Sequence, residues 1–98
     1  MIIGLDISTS ITGYTVLNED GVIVECGHID LRKEKNFFKK AALVEKKLKE
    51  IDKLSKAWTK AVYIEQSLQS FRSGYSSAQT LSLLSRFNGV VSWLCYEI

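Results

Sequence analysis

The chain of 98 residues has no proline, one histidine and two cysteines. The absence of proline is compatible with regular helices and strands along the whole chain. No window approaches the run of about 18 apolar residues that a membrane helix requires, so we expect no membrane span. The N-terminus lacks a basic segment and a small-residue cleavage site, which argues against a secretory signal.

Cysteine and histidine are too sparse to predict a site by themselves. Cys26 and Cys95 have no metal-binding spacing, and we expect both to be reduced core residues rather than a disulfide. This predicts an intracellular protein, cytoplasmic in a bacterial, phage-infected or viral context. His28 lies in the middle of a predicted strand and is interpreted as a satisfied strand histidine rather than a catalytic base. The length predicts a single domain over residues 1–98.

Positive charge is concentrated in one segment. All ten lysines lie between Lys33 and Lys60, where only four acids oppose them, an excess of six positive charges. The rest of the chain holds three arginines and seven acids, an excess of four negative charges. The net charge of +2 therefore hides a basic side that suits a polyanion and an acidic side that suits cations.

Three strands are predicted at the start of the chain. Met1–Ile7 is almost continuously apolar, which predicts a strand that is buried on both faces. Ile11–Asn18 predicts a second strand, and Val22–Leu31 predicts a third after a turn with the hairpin signal Asp20-Gly21. The short connections indicate an antiparallel meander.

A helix, a fourth strand and a second helix follow. The helix is predicted over Glu34–Ser55 from one apolar stripe at spacings of four and three. Ala61–Glu65 follows that helix, so we expect a strand parallel to the first one, reached by a right-handed crossover. Ser76–Ile98 predicts the second helix, whose apolar width predicts a homodimer surface. That width comes from Leu81, Leu84, Phe87, Val91, Trp93 and Leu94.

Two carboxylates end apolar strands and are the candidate catalytic and metal-binding residues. Asp6 lies at the centre of an expected buried hairpin, where an uncompensated charge is unfavourable. Glu65 ends the fourth strand, and parallel strands would place both acids at one end of the sheet. Carboxylate oxygens suit Mg²⁺ or Mn²⁺, and two such ions clamp the reacting oxygens of a phosphodiester. The alternatives are an Asp6 that caps the next turn and a Glu65 in water at a sheet edge.

Other residues point to phosphate or nucleic acid. Ser8, Thr9 and Ser10 could bind a phosphate or a metal-bound water, and turn formation explains them equally well. On the first helix, a lysine recurs every seven residues, nearly opposite Val44. This lysine stripe is either a solvated face or a surface that contacts DNA phosphates, and it consists of Lys39, Lys46 and Lys53.

The order of elements, with acids ending the first and fourth strands, resembles the ribonuclease H-like fold. Within that fold, four short segments resemble RuvC-type Holliday junction resolvases. They are Gly4-Leu5-Asp6, Thr12-Gly13-Tyr14, Ile64-Glu65-Gln66 and Asn88-Gly89-Val90. The resemblance covers nearly the whole chain.

The resemblance implies an α/β fold with a mixed sheet, in which three antiparallel strands are joined by a parallel fourth. It also implies a dimeric endonuclease that cleaves branched DNA with two Mg²⁺ or Mn²⁺ ions. In that family an aromatic residue on the loop after the second acid enters the junction. Here that loop carries the candidate DNA-binding residues Phe71, Arg72 and Tyr75, of which Phe71 is the expected junction contact, with simple packing of the loop as the alternative.

The chain departs from that family in its acidic residues. The family has two further acids on a later helix, whereas Glu97 is the only acid after Glu65. We therefore expect a domain that is incomplete at its C-terminus and does not cleave DNA by itself. The alternatives are an ATP-binding fragment of the actin and sugar-kinase type and a junction-binding module that no longer cleaves. Against the first, Ile7-Ser8-Thr9-Ser10 lacks the glycine that would cradle a phosphate.

Overall fold

The computed structural model describes residues 1–54, 61–65 and 78–98. The strands are β1 (Ile2–Asp6), β2 (Ile11–Leu17), β3 (Ile23–Asp30) and β4 (Ala61–Ile64), and the helices are α1 (Phe37–Leu54) and α2 (Ala78–Glu97). All six predicted elements are present, with ends that differ by a few residues. The predicted loop that carries Phe71, Arg72 and Tyr75 lies outside the described residues.

The four strands form one mixed sheet in the order β3-β2-β1-β4. The β1–β2 and β2–β3 pairs are antiparallel, and β4 is parallel to β1. The predicted α/β architecture, an antiparallel meander extended by a parallel fourth strand, is therefore confirmed at this level. Leu5 pairs with Ile64 in the parallel ladder, so the strands that precede the two acids end side by side.

The turn between β2 and β3 has the predicted glycine but is held by an asparagine. The Asn18 side-chain oxygen accepts hydrogen bonds from the backbone N–H groups of Asp20 and Val22. Gly21 adopts a φ of 78°, a left-handed conformation that glycine accommodates without strain. Asn18 is therefore part of the turn and not the last residue of β2.

Both helices contribute to one core on one face of the sheet. Alternate residues of β1 point into this core, where Ile3 and Leu5 are 3% and 4% exposed. The intervening residues Ile2 and Gly4 are only half-buried. The prediction that β1 is buried on both faces is therefore wrong, because the described helices cover one face and no described element packs on the other, which we call the open face.

Helix α1 buries the predicted apolar stripe. Ala41, Val44, Leu48 and Ile51 are each at most 5% exposed. The helix begins at Phe37 and not at Glu34 because Asn36 caps it. The Asn36 side-chain oxygen accepts hydrogen bonds from the N–H groups of Phe38 and Lys39, two donors that have no partner within the helix.

Helix α2 packs on the core through only part of its predicted apolar surface. Phe87 and Val91 are fully buried, whereas Leu81 and Leu84 are only half-buried and lie outside the core. The Phe87 ring packs edge-on against Phe37 of α1, with ring centroids 5.4 Å apart. Phe87 and Val91 are consequently used within the chain and unavailable to a partner. Neither α1 nor α2, the helices of the described ranges, has the length and apolar character to cross a membrane.

The two cysteines occupy different environments. Both are free thiols, as predicted. Cys95 is half-buried beside the core, and burial raises the pKa of its thiol. Cys26 is exposed, because it lies on the open face of β3, so the prediction that it belongs to the core is wrong.

Candidate metal and nucleic-acid site

Asp6 and Glu65 lie next to each other at one end of the sheet. The backbone N–H of Glu65 donates a hydrogen bond to the carbonyl oxygen of Leu5 over 3.2 Å, which extends the parallel ladder by one residue. Neighbouring strands are about 4.8 Å apart, so the two acidic residues are one strand spacing apart on the same face. The predicted proximity of the two acids is confirmed.

Asp6 is exposed, so the expectation of a buried charge at this position is wrong. Side chains alternate along a strand. Leu5 and Ile7 take the core positions, and the carboxylate of Asp6 therefore points to the open face. Any role of Asp6 in metal binding therefore depends on its position beside Glu65, which is also exposed, and not on the removal of its carboxylate from water.

A shallow groove of about 720 Å³, wide open to solvent, lies on this open face. Its floor includes Gly4 and Gly13, which carry no side chains. Tyr63 and Glu65 line it from the β4 side, and Cys26 and His28 line it from the β3 side. We call this cavity the open-face groove. A side chain at Gly13 would stand between its walls, because a Cβ there would lie 3.8 Å from that of Asp6.

His28 lies directly across this floor from Asp6. Gly13 pairs with Asp6 on one side and with His28 on the other, so the three residues form one row across the sheet. Two strand spacings, about 10 Å, separate the backbone positions of Asp6 and His28. The His28 side chain is exposed, and its charge acts on Asp30, two residues further along β3. The interpretation as a strand histidine rather than a catalytic base stays a prediction, and the position of His28 opposite Asp6 adds it to the residues that line the groove.

The turn after β1 is stabilised by its own side chains. The Thr12 hydroxyl, which is fully buried, donates to the Ser8 carbonyl over 2.8 Å and accepts from the Ser8 N–H over 3.2 Å. The Ser8 hydroxyl accepts from the Ser10 N–H and lies 3.0 Å from the Ser10 hydroxyl. These contacts support turn formation as the role of Ser8 and Ser10. The Thr9 carbonyl accepts a hydrogen bond from the ammonium of Lys40.

Helix α2 contributes to the position of Glu65. The side-chain amide of Asn88 donates to the Glu65 carbonyl oxygen over 3.2 Å. The next residue, Gly89, is exposed, and Phe87 anchors the helix in the core. Asn88 thus links the helix to the strand end that bears the second acid.

The lysine stripe lies on the other side of the molecule. Lys39, Lys46 and Lys53 are all exposed, and Lys46 is about 200° around the helix from the buried Val44. Since Val44 faces the sheet, the lysines point away from it, whereas Asp6 points away from the opposite face. The acids and the lysine stripe are therefore separated by the full thickness of the sheet and α1.

The acid pair suits a hard divalent cation as a partial site. Within the described ranges neither Asp6 nor Glu65 forms an ion pair, whereas other acids do, as Asp30 does with Arg32 and Glu50 with Lys47. No group of three or more His, Cys, Asp and Glu side chains within those ranges is arranged as a metal cage. Two carboxylates leave coordination positions for water or phosphate oxygens, as Mg²⁺ commonly requires.

Sequence reasoning missed Tyr63, His28 and Asn88 as neighbours of the acids. Tyr63 could have been found, because a residue two positions before Glu65 shares its face of the strand. The row that contains His28 depends on the register of two hairpins, and Asn88 depends on the packing of α2. A scan of protein-family models gives no match to this chain, and neither does a comparison with curated proteins.

Proposed function

We propose that this chain binds branched DNA through a divalent-metal site at Asp6 and Glu65, as part of a ribonuclease H-like nuclease of the RuvC resolvase type. The observation that carries the proposal is the parallel pairing of β1 with β4, which sets the two acids side by side on an open face. The strand order β3-β2-β1-β4 is the arrangement that the resemblance predicts for such a nuclease.

The ion would be Mg²⁺ or Mn²⁺, held by the two carboxylates and by water. When bound, it would neutralise a phosphodiester oxygen and lower the pKa of a coordinated water. The protein itself supplies the two fixed ligands, a floor without side chains at Gly13, and His28 on the opposite wall. These features fit a phosphate group that enters from the open side of the sheet.

The separation of the two charged surfaces favours a branched partner. The molecule is only 21–25 Å across its shorter axes, and the acids and lysines lie on opposite sides. One short stretch of duplex does not reach both surfaces, whereas two arms of a junction can. We propose that the lysine stripe binds the phosphates of one arm while a strand of another arm enters the open-face groove.

Cleavage by this chain alone is not part of the proposal. Two-ion phosphodiester hydrolysis uses ligands that hold both ions while charge moves between attacking and leaving oxygens. Asp6 and Glu65 supply two carboxylates, and the sequence after Glu65 contains no other acid than Glu97. Loss of ligands that act as a unit reduces the rate far more than their separate contributions would. We expect binding of metal and junction without turnover.

A homodimer is part of the proposal, because a four-way junction presents two symmetric strands. The exposed aromatic pair on α2 offers a surface for it. Trp93 and Tyr96 are 58% and 82% exposed and stack on each other with centroids 5.9 Å apart. Phe87 and Val91 no longer count towards this surface, because both are buried in the core.

Thermal-shift measurements with three additives test the proposal against its alternatives. Stabilisation by Mn²⁺, and further stabilisation by a four-way DNA junction, is the expected result, because a ligand that binds only the folded chain raises its melting temperature. Stabilisation by Mg²⁺-ATP without any response to the junction would instead indicate the actin and sugar-kinase type. An assay of junction cleavage in Mn²⁺ then separates binding from cleavage. Specific symmetric cleavage by this chain would contradict the expected lack of turnover.

A further inference from the structure

Tyr63 is an exposed aromatic residue within the sheet. It lies within β4, yet 67% of its surface is accessible. Its ladder neighbour on β1 is Gly4, and even a Cβ at Gly4 would meet nothing closer than the Thr15 carbonyl oxygen at 4.0 Å. The Tyr63 ring therefore lies beside a part of the sheet that carries no side chain, and the ring lines the open-face groove.

The ring adjoins the acid pair. Tyr63 and Glu65 are two residues apart on one strand, so their side chains share a face about 6.6 Å apart. Asp6 lies one strand spacing beyond Glu65, and all three residues line the same cavity. A ligand in the groove can thus touch the aromatic ring and an ion at the acids at once.

A nucleotide has the chemistry that this combination recognises. Its phosphate oxygens suit a divalent ion at Asp6 and Glu65, and its flat base suits an exposed aromatic ring. A paired base is stacked between its neighbours, so only an unpaired base is free to take this position. We propose that an unpaired base stacks on Tyr63 while a neighbouring phosphate contacts the ion, an inference that rests on the proposed metal site.

The charge of the groove makes this binding dependent on metal. Its described lining contains two carboxylates and no lysine or arginine. Without an ion, the groove repels a polyanion, so binding there should require Mn²⁺ or Mg²⁺. The lysine stripe on the opposite side has no such requirement, which allows the two surfaces to be distinguished.

The test compares Tyr63→Thr with Tyr63→Phe. Threonine keeps strand propensity and removes the ring, whereas phenylalanine keeps the ring. Affinity for a short fluorescein-labelled oligothymidine is measured by anisotropy in Mn²⁺. Since stacking of one base contributes about 1–3 kcal/mol, Tyr63→Thr should weaken binding about 5- to 150-fold, and Tyr63→Phe should bind like the unchanged chain.

Phe38→Ala is the matched control. Phe38 is 73% exposed, close to the exposure of Tyr63, but it lies on α1 and outside the groove. Its removal should leave oligothymidine binding unchanged. Melting curves of all three variants should coincide with that of the unchanged chain within a few degrees, because both aromatic side chains lie at the surface.

Two results overturn this inference alone. If Mn²⁺ binding depends on Asp6 but Tyr63→Thr binds oligothymidine as well as the unchanged chain does, stacking is absent and the metal site stands. If Tyr63→Phe loses as much affinity as Tyr63→Thr, the hydroxyl matters and the ring does not stack. A chain that binds neither Mn²⁺ nor DNA would overturn both this inference and the proposed function.

Discussion

The open-face groove and the lysine stripe carry opposite charge and are built in different ways. The groove is shallow, acidic, and assembled from all four strands, with lining residues that range from Gly4 to Glu65. The lysine stripe is convex, basic, and carried by the single helix α1. One hydrophobic core lies between the two surfaces and supports both, because the inner residues of the sheet and of α1 pack against each other.

This difference assigns different roles to the two surfaces. Lysines that project from a convex helix can attract phosphates over a distance but have little shape with which to choose among them. The groove brings two acids, a histidine and an aromatic ring together on paired strands, which in the proposed complex would suit contact with one nucleotide. In the proposed DNA complex, the lysine stripe should therefore determine the strength and the salt dependence of binding, and the groove should determine which nucleotide is contacted.

The largest expected effect concerns the lysine stripe. Changing Lys39, Lys46 and Lys53 to glutamine keeps good helix formers and removes three charges. If each lysine contacts a phosphate, the slope of log affinity against log salt falls by about 2.7, a difference of roughly 40-fold across a fourfold range of salt. Anisotropy of a labelled junction between low and moderate salt measures it. An unchanged slope, with unchanged helix content by circular dichroism, would assign these lysines to solvation alone.

The second prediction concerns the turn that borders the groove. Thr12→Val preserves shape and removes a fully buried hydroxyl that makes two hydrogen bonds with the backbone of Ser8. The free energy of unfolding should fall by about 1–3 kcal/mol, because the Ser8 N–H and carbonyl lose their partner. The control is Thr15→Val, on the open face of the same strand, which should lower the free energy of unfolding by less than Thr12→Val does. Equal urea midpoints for both variants would show that the Thr12 bonds contribute little.

The third prediction concerns a second copy of the chain. Sedimentation at high micromolar concentration should show a dimer, and Trp93→Glu should shift it to a monomer, because a charge would replace the exposed ring on α2. Val24→Glu, an equally exposed apolar residue at 54%, should leave the dimer intact. A monomer for the unchanged chain would remove dimerisation from the proposal.

The smallest effect concerns pH. Arg32, through a side-chain hydrogen bond and its charge, holds the pKa of Asp30 well below the ordinary value of 3.8. A depressed pKa in the folded state adds stability above about pH 4, and this stability is lost as pH falls towards the folded value. Both groups are exposed, so the effect should be slight and should shrink in high salt. Asp30→Asn should show a smaller loss of melting temperature between pH 7 and pH 3, and an equal loss would contradict this.

The element order and the meeting of the two acids could be predicted from sequence, because both follow from strong local signals. Apolar periodicity defined α1, and a strand after a helix returns parallel to the first strand. The exposure of Asp6 was mispredicted for a physical reason. A continuous apolar run does not show whether one face or two are covered, and here the described helices cover only one.

The groove walls could not be predicted because they depend on register across several strands. His28 meets Asp6 only through the pairing of Gly13 with both, and one residue of slippage would turn His28 to the core face. The helix start at Phe37 also depended on a single side chain, since Asn36 caps α1. The position of Asn88 beside Glu65 arises from helix packing and leaves no periodic signal in the sequence.

Calorimetric titration with Mn²⁺ tests the central claim most directly. The unchanged chain should bind Mn²⁺, and Asp6→Asn should abolish that binding, because it removes one of two fixed carboxylates and leaves the backbone unchanged. Asp20→Asn is the matched control, since Asp20 is an exposed aspartate in the turn at the opposite end of the sheet. Binding that is lost in Asp6→Asn and kept in Asp20→Asn is the predicted result. Equal Mn²⁺ binding by Asp6→Asn and the unchanged chain would contradict the proposed metal site.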